Sequence, residues 1–177
     1  MAGKFPFTKK DLYSLFAAVA ISLVAAFAFS RLDFLRLLGY PGIFIVSLLS
    51  SATIFLPMPG FAIVFAMGAY LNPVLVGLAA GCGSAIGELS GYLAGSAGHG
   101  AVERTGIYKH HEKEIRKGGP LAIFALAFLP NPLFDIAGIV SGAIRMPIWQ
   151  FLLATAAGKT LRYILLAYAG GAAAGFF

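Results

Sequence analysis

Charge is what this 177-residue chain lacks most. Only 11% of its residues are Asp, Glu, Lys or Arg, against about a quarter in an ordinary soluble domain. A soluble domain of this length could not cover its surface with 13 cations and 7 anions, so most of the chain has lipid as its solvent. Cysteine is nearly absent too. Cys82 alone excludes a disulfide framework and any Cys-based metal site. No Walker-type phosphate loop occurs. Ser84, Ser90 and Ser141 have no histidine base near them in sequence, which leaves hydrolase chemistry without support. His99, His110, His111, Glu112 and Glu114 match no standard ligand spacing and read as a solvated loop. The expectation is a protein that is not an enzyme, with no metal and no cofactor.

What is present is apolar. Hydrophobic residues make up 59% of the chain. No charge falls between Asp11 and Arg31, between Arg36 and Glu88, or between Lys117 and Asp135. The net charge of +6 is clustered, with Lys4, Lys9 and Lys10 before the first apolar run and Arg104, Lys109, Lys113, Arg116 and Lys117 in the polar stretch 99–117. Short basic clusters beside apolar runs mark cytoplasmic flanks, and they favour anionic lipid over nucleic acid as a partner.

The runs divide unevenly. Residues 12–30 suit one crossing. Their basic start and small-residue end also resemble a secretory signal, and an uncleaved anchor is the expected reading. Residues 31–38 read as an amphipathic link at the interface. Residues 1–38 are thus the anchor and link, and 39–177 the main transmembrane domain. Stretch 40–71 is broken at Phe55-Leu56-Pro57-Met58-Pro59-Gly60, and two prolines so close should stop a helix. Residues 73–98 form a full span. Stretch 119–145 is broken at Phe128-Leu129-Pro130-Asn131-Pro132, and 147–170 is the last span.

The two breaks share Phe-Leu-Pro-x-Pro, and each half reads as arm, break, arm, X-Pro, long helix. That is a weak internal repeat. With both basic clusters cytoplasmic, the hairpins enter from opposite faces. The expected fold is all-α and membrane-embedded, an inverted repeat of two re-entrant helical hairpins, each followed by a full transmembrane helix.

Four charges remain in the spans: Glu88, Asp135, Lys159 and Arg162. A charge at a helix centre costs about 2.5–3.5 kcal/mol on insertion scales, so these should face inward and pair. The expectation is that both acids neutralise both bases around a polar cavity. Asn131 either lines that cavity or merely caps its break. The half-helices starting at Gly60 and Leu133 would aim free N–H groups at the same centre. Gly83, Gly87, Gly91 and Gly95 form a packing ridge on one helix face, and Gly77 and Gly81 read as its continuation.

Several of these residues carry a resemblance. Leu56-Pro57-Met58-Pro59 and Gly87-Glu88-Leu89-Ser90-Gly91-Tyr92-Leu93-Ala94-Gly95 resemble the DedA superfamily, also called the VTT or SNARE-associated Golgi domain. Pro130-Asn131-Pro132-Leu133-Phe134-Asp135-Ile136-Ala137-Gly138, with Ala157-Gly158-Lys159, looks like the eukaryotic vacuole membrane protein branch, which acts in autophagy. The resemblance covers roughly residues 40–170. It implies the double-hairpin fold and lipid transport: phospholipid scrambling in the eukaryotic branch, translocation of polyprenyl-phosphate or phospholipid in bacterial ones. The bacterial Arg-x-x-Pro-Gly-x-Arg pattern is missing, since Ala127 and Leu133 hold its arginine positions. Ser50 to Thr53 replace the bacterial acidic residue. Those departures favour an energy-independent scramblase over a proton-coupled flippase of an anionic lipid. A non-transporting scaffold acting through the glycine ridge is the third possibility. Membrane phospholipids are the expected partners, with self-association left open. The expected site is the cell membrane of a prokaryote, with the N-terminus and residues 99–117 cytoplasmic.

Overall fold

A computed structural model describes residues 32–52, 60–98, 106–130 and 133–175. The anchor at 12–30, both prolines of the first break (Pro57 and Pro59), Asn131 and Pro132 of the second, and His99 lie outside the described residues. The described residues contain helices and no strand. In order these are α1 (Leu32–Ala52), α2 (Gly60–Gly68), α3 (Pro73–Gly87), α4 (Leu89–Ala97), α5 (Gly106–Phe128), α6 (Leu133–Ala143) and α7 (Ile148–Ala174).

Glycine and proline decide where helices bend. Within α1 the backbone leaves helical geometry at Gly39 (φ 56°, ψ −137°), two residues before Pro41. Within α5 it does the same at Gly119 (φ 53°, ψ −138°), just before Pro120. Only glycine takes that conformation without strain. The segment before each kink is helical, which corrects the sequence reading of 106–117 as a loop. Its polar side chains are spaced to support a helix, as the Glu112–Arg116 pair at 2.7 Å shows.

Asn72 starts α3. Its Oδ1 accepts from the N–H of Val74 (3.0 Å) and of Leu75 (3.3 Å), with Pro73 at the first helical position, where a missing N–H is harmless. The run from Pro73 to Ala97 is long and apolar enough to cross a membrane. It changes helix at Glu88, whose N–H still reaches the Ser84 carbonyl at 3.0 Å. α7 is 27 residues long, about 40 Å at the helical rise.

Glycines set how these helices pack. A Cβ at Gly77 would strike Ile164, and one at Gly81 would strike Thr160, so α3 and α7 run antiparallel in close contact. Cβ atoms at Gly83 and Gly87 would strike the Phe44 and Leu48 carbonyls, so α1 runs parallel to α3. The chain must therefore turn back between α1 and α3, and α2 is the returning arm. The ridge is thus two rows rather than one. Two residues further along a helix lie about 200° round it, so Gly77 and Gly81 face α7 while Gly83 and Gly87 face α1. Gly95 meets Ile139 of α6, and a Cβ at Gly91 would have open space within 4 Å.

The distribution of polarity suits lipid. Leu49, Phe61, Leu93, Trp149, Leu153, Leu161 and Leu165 are exposed, while Ser47, Ser84, Glu88, Ser141, Thr155 and Lys159 are buried. An apolar exterior over a core that holds a buried ion pair suits lipid rather than water as the surrounding solvent.

Candidate functional site

Three of the buried polar residues, Ser84, Glu88 and Lys159, meet the half-buried Ser51 where α1, α3 and α7 come together. Glu88 stands at the joint between α3 and α4, and Lys159 is at mid-length in α7. Their side chains form an ion pair through Glu88 Oε1, with residue exposures of 6% and 3%. Lys159 Nζ also donates to Ser84 Oγ at 2.7 Å and to Ser51 Oγ at 3.4 Å. The two hydroxyls bond each other at 2.5 Å. The Phe134 ring of α6 lies 4.9 Å from the ammonium. Ser90 Oγ ties α4 to the end of α1 by donating to the Ala52 carbonyl at 3.1 Å.

The local reasons are plain in the chain. Gly87 lets α1 approach the residue before Glu88. Gly158 does the same before Lys159, where a Cβ would sit 2.6 Å from the Phe124 carbonyl oxygen. Each charged side chain thus follows a glycine that brings a neighbouring backbone close. Sequence reasoning placed Glu88 and Lys159 in one cavity but missed Ser51 and Ser84. The available signal was a hydroxyl run, Ser50 to Thr53, inside an otherwise apolar stretch.

The second expected pairing is not formed. Asp135 is exposed in the first turn of α6. Arg162 donates from Nη1 to the Leu129 carbonyl at 3.3 Å and lies over the rings of Phe61 (4.8 Å) and Tyr163 (5.1 Å). The reason is angular: three residues of helix turn Arg162 about 60° away from Lys159, toward α2 and the end of α5. Gly60, which opens α2, is buried, and a Cβ there would meet Ser50 Oγ at 3.1 Å. Pro130 is exposed.

Arranged this way, the cluster neutralises one buried charge pair with two hydroxyls in a shell that is otherwise apolar. It offers ionic and hydroxyl groups at the depth where the helices cross. Among the described residues, no group of His, Cys, Asp and Glu could hold a metal ion.

Comparison with known proteins places the chain among membrane proteins. Vacuole membrane protein KMS1 of Arabidopsis thaliana is 32% identical over 46% of this chain and 25% of its own length. Vacuole membrane protein 1 of Homo sapiens is 46% identical over 28% of this chain and 12% of its own. The Dictyostelium discoideum homolog of vacuole membrane protein 1 is 49% identical over 24% and 11%. The chain therefore spans a quarter or less of these relatives. No solved structure matches it. The VTT domain family matches residues 58–172, which takes in every residue of the cluster except Ser51, and this membrane protein belongs to that family, the DedA superfamily, with the vacuole membrane proteins among its relatives.

Proposed function

We propose that the protein is an energy-independent phospholipid scramblase. Headgroups pass through a polar groove near the midplane while the acyl tails stay in lipid. The observation that carries this reading is the cluster of buried Glu88, Lys159 and Ser84 with half-buried Ser51 inside an apolar exterior. Four polar side chains at a crossing of membrane helices are costly to insert, and a passage for headgroups is a use that offsets the cost. Phospholipids are the proposed partners, and no covalent chemistry is involved.

The groove is proposed to lie between two inverted re-entrant hairpins, and several pairs of contacts support that arrangement. Gly39 and Gly119 have the same backbone angles. Five residues after each comes a phenylalanine, Phe44 or Phe124, whose carbonyl faces a glycine of the following long helix, Gly83 or Gly158. Gly68 of α2 meets Ala167 of α7, and Gly142 of α6 meets Tyr92 of α4. Gly170 meets Phe65, and Gly95 meets Ile139. Each returning arm thus packs on the other half's long helix. On this arrangement the Arg145 turn faces the cytoplasm with residues 99–117, and the uncharged Tyr70 turn faces outward, in keeping with the positive-inside rule. The membrane is proposed to be the plasma membrane of a prokaryotic cell, which co-migration of a tagged chain with plasma-membrane markers tests.

The test of function is reconstitution into vesicles holding a fluorescent phospholipid in both leaflets, followed by an impermeant reductant. Protein-bearing vesicles should lose nearly all fluorescence, whereas protein-free vesicles lose only the outer leaflet's share. Equal protection in the two removes the proposal. One observation favours a second reading, proton-coupled transport of an anionic lipid: the Glu88 carboxylate is buried at a helix joint, with Oε1 on Lys159 and Oε2 turned toward Gly138. There a pH gradient should change the rate, and Glu88→Gln should abolish that response. The scaffold reading needed a free glycine ridge, and five of its six glycines already face neighbouring helices of the same chain.

A further inference from the structure

The two cations of α7 differ in how their donors are used. An ammonium has three N–H groups. Lys159 has three acceptors for them, on Glu88, Ser84 and Ser51, with the Phe134 ring beside it. All three ammonium donors are engaged within the cluster. A guanidinium has five N–H groups in a planar fork. Arg162 places one of them, through Nη1, on the Leu129 carbonyl. Its Nε is buried with no hydrogen-bond partner, and no carboxylate pairs with it among the described residues. Phe61 and Tyr163, whose ring centroids are 5.5 Å apart, lie together on one side of the guanidinium, and the other N–H groups of the fork have no acceptor among the described residues. Phe61 is 45% exposed on the lipid-facing surface, which puts the site within reach of the bilayer.

A cation in a membrane span needs a counter-charge, and two ring faces do not neutralise it. A guanidinium edge carrying adjacent N–H groups matches two phosphate oxygens in distance and direction, which an ammonium cannot do. We infer that Arg162, rather than Lys159, is the phosphate-binding residue of this protein: its unsatisfied fork, backed on one side by Phe61 and Tyr163, takes a phosphate monoester or diester. This deepens the transport reading and rests on it for the source of the ligand. Lys159 then holds the crossing of α3 and α7 together, and Arg162 meets the substrate. The phosphate can come from a lipid headgroup or from free phosphate.

The test is native mass spectrometry of the purified full chain. It is offered phosphatidylglycerol or a diacylglycerol with the same acyl chains, with and without millimolar inorganic phosphate. The wild type should retain the phosphorylated lipid roughly tenfold or more over the diacylglycerol, the scale of a charged hydrogen-bonded contact. Arg162→Gln should abolish the difference. Arg162→Lys keeps the charge without the fork and should retain only part of it. Arg162→Lys also serves as the readout if Arg162→Gln proves unstable by thermal melting. Displacement by inorganic phosphate supports recognition of the phosphate group itself. A ratio that resists it supports a lipid-borne phosphate. Equal retention of the two lipids by the wild type, or a ratio unchanged in both variants, overturns the inference. A protein that does not scramble but shows Arg162-dependent retention removes the transport reading and leaves the site standing. A scrambling protein indifferent to Arg162 does the reverse.

Discussion

Lys159→Met should be the most damaging conservative change of side-chain shape in this chain. The methionine fills a similar volume but leaves the Glu88 carboxylate buried at 6% exposure with no cation. It also strands the hydroxyls of Ser84 and Ser51, which retain only each other. Removing one partner of a buried ion pair costs about 3–5 kcal/mol. For a chain of this length about 2–4 °C of melting temperature goes with each kcal/mol, so the loss should be about 6–20 °C. Glu88→Gln should cost less. It keeps a hydrogen-bond acceptor on Lys159 while removing the charge. The decisive variant is the double one, Lys159→Met with Glu88→Leu, because a well-packed apolar pair in place of a buried ionic pair is often neutral or stabilising. Thermal melting in detergent, followed by size-exclusion chromatography, would measure these and Glu88→Leu alone. A double variant whose loss equals the sum of the Lys159→Met and Glu88→Leu losses would falsify the coupling. So would single variants that melt within about 1 °C of the wild type, since by the same conversion that is under 1 kcal/mol.

Two further predictions concern packing and orientation. Gly95→Leu and Gly142→Leu should each destabilise by about 1–3 kcal/mol or more through overpacking, because their Cβ atoms meet the Ile139 and Tyr92 carbonyls; Gly91→Ala, with open space at its Cβ, should be neutral or gain a few tenths of a kcal/mol in helix propensity, and melting curves that rank the three otherwise would contradict the helix register described above. In a Cys82→Ser background, Lys113→Cys should react with an impermeant maleimide only from the cytoplasmic side and Tyr70→Cys only from the opposite side; labelling of both from one side would remove the inverted arrangement.

Much of the fold could be read before any coordinates, because prolines and charges act locally. Pro-x-Pro marks a helix stop wherever it falls, and a charge within an apolar span asks for a partner. The correspondence Gly39–Ile43–Phe44 with Gly119–Ile123–Phe124 is faint in the sequence for a physical reason. Only the residues that face the core or take the strained turn are held in common. Ile43 and Ile123 are both fully buried, while their neighbours differ freely. The first arm is also seven residues longer between its glycine and its Phe-Leu-Pro break (39 to 55 against 119 to 128). The two glycine rows are hard to tell apart in the sequence for the opposite reason. A repeat of four looks continuous on paper, but the step from Gly81 to Gly83 crosses to the other side of the helix. Neutralisation of both bases by both acids rests on charge balance, and balance says nothing about which way a helix turns Arg162.

How the two halves correspond bears on where the cluster comes from. The register that relates Phe44 to Phe124 and Gly83 to Gly158 makes Ser84 the counterpart of Lys159. These two touch each other at 2.7 Å. In the proposed repeat, counterparts that touch lie beside the axis relating the halves, where α3 and α7 cross. Ser51 reaches the same point from the last turn of α1. The site therefore arises where the two halves stop being alike: one carries a hydroxyl at the axis, the other an ammonium. A swap tests this. Lys159→Ser alone leaves Glu88 without a cation, and Ser84→Lys alone crowds two ammonium groups against one carboxylate. The double exchange, Ser84→Lys with Lys159→Ser, restores one cation, one carboxylate and one axial hydroxyl, with position 84 four residues before Glu88 on the same side of the helix. It should melt several degrees above the worse single variant, on the scale of a recovered buried pair. If the exchange is no more stable than that variant, then Ser84 and Lys159 are not equivalent positions, and the cluster owes nothing to the repeat.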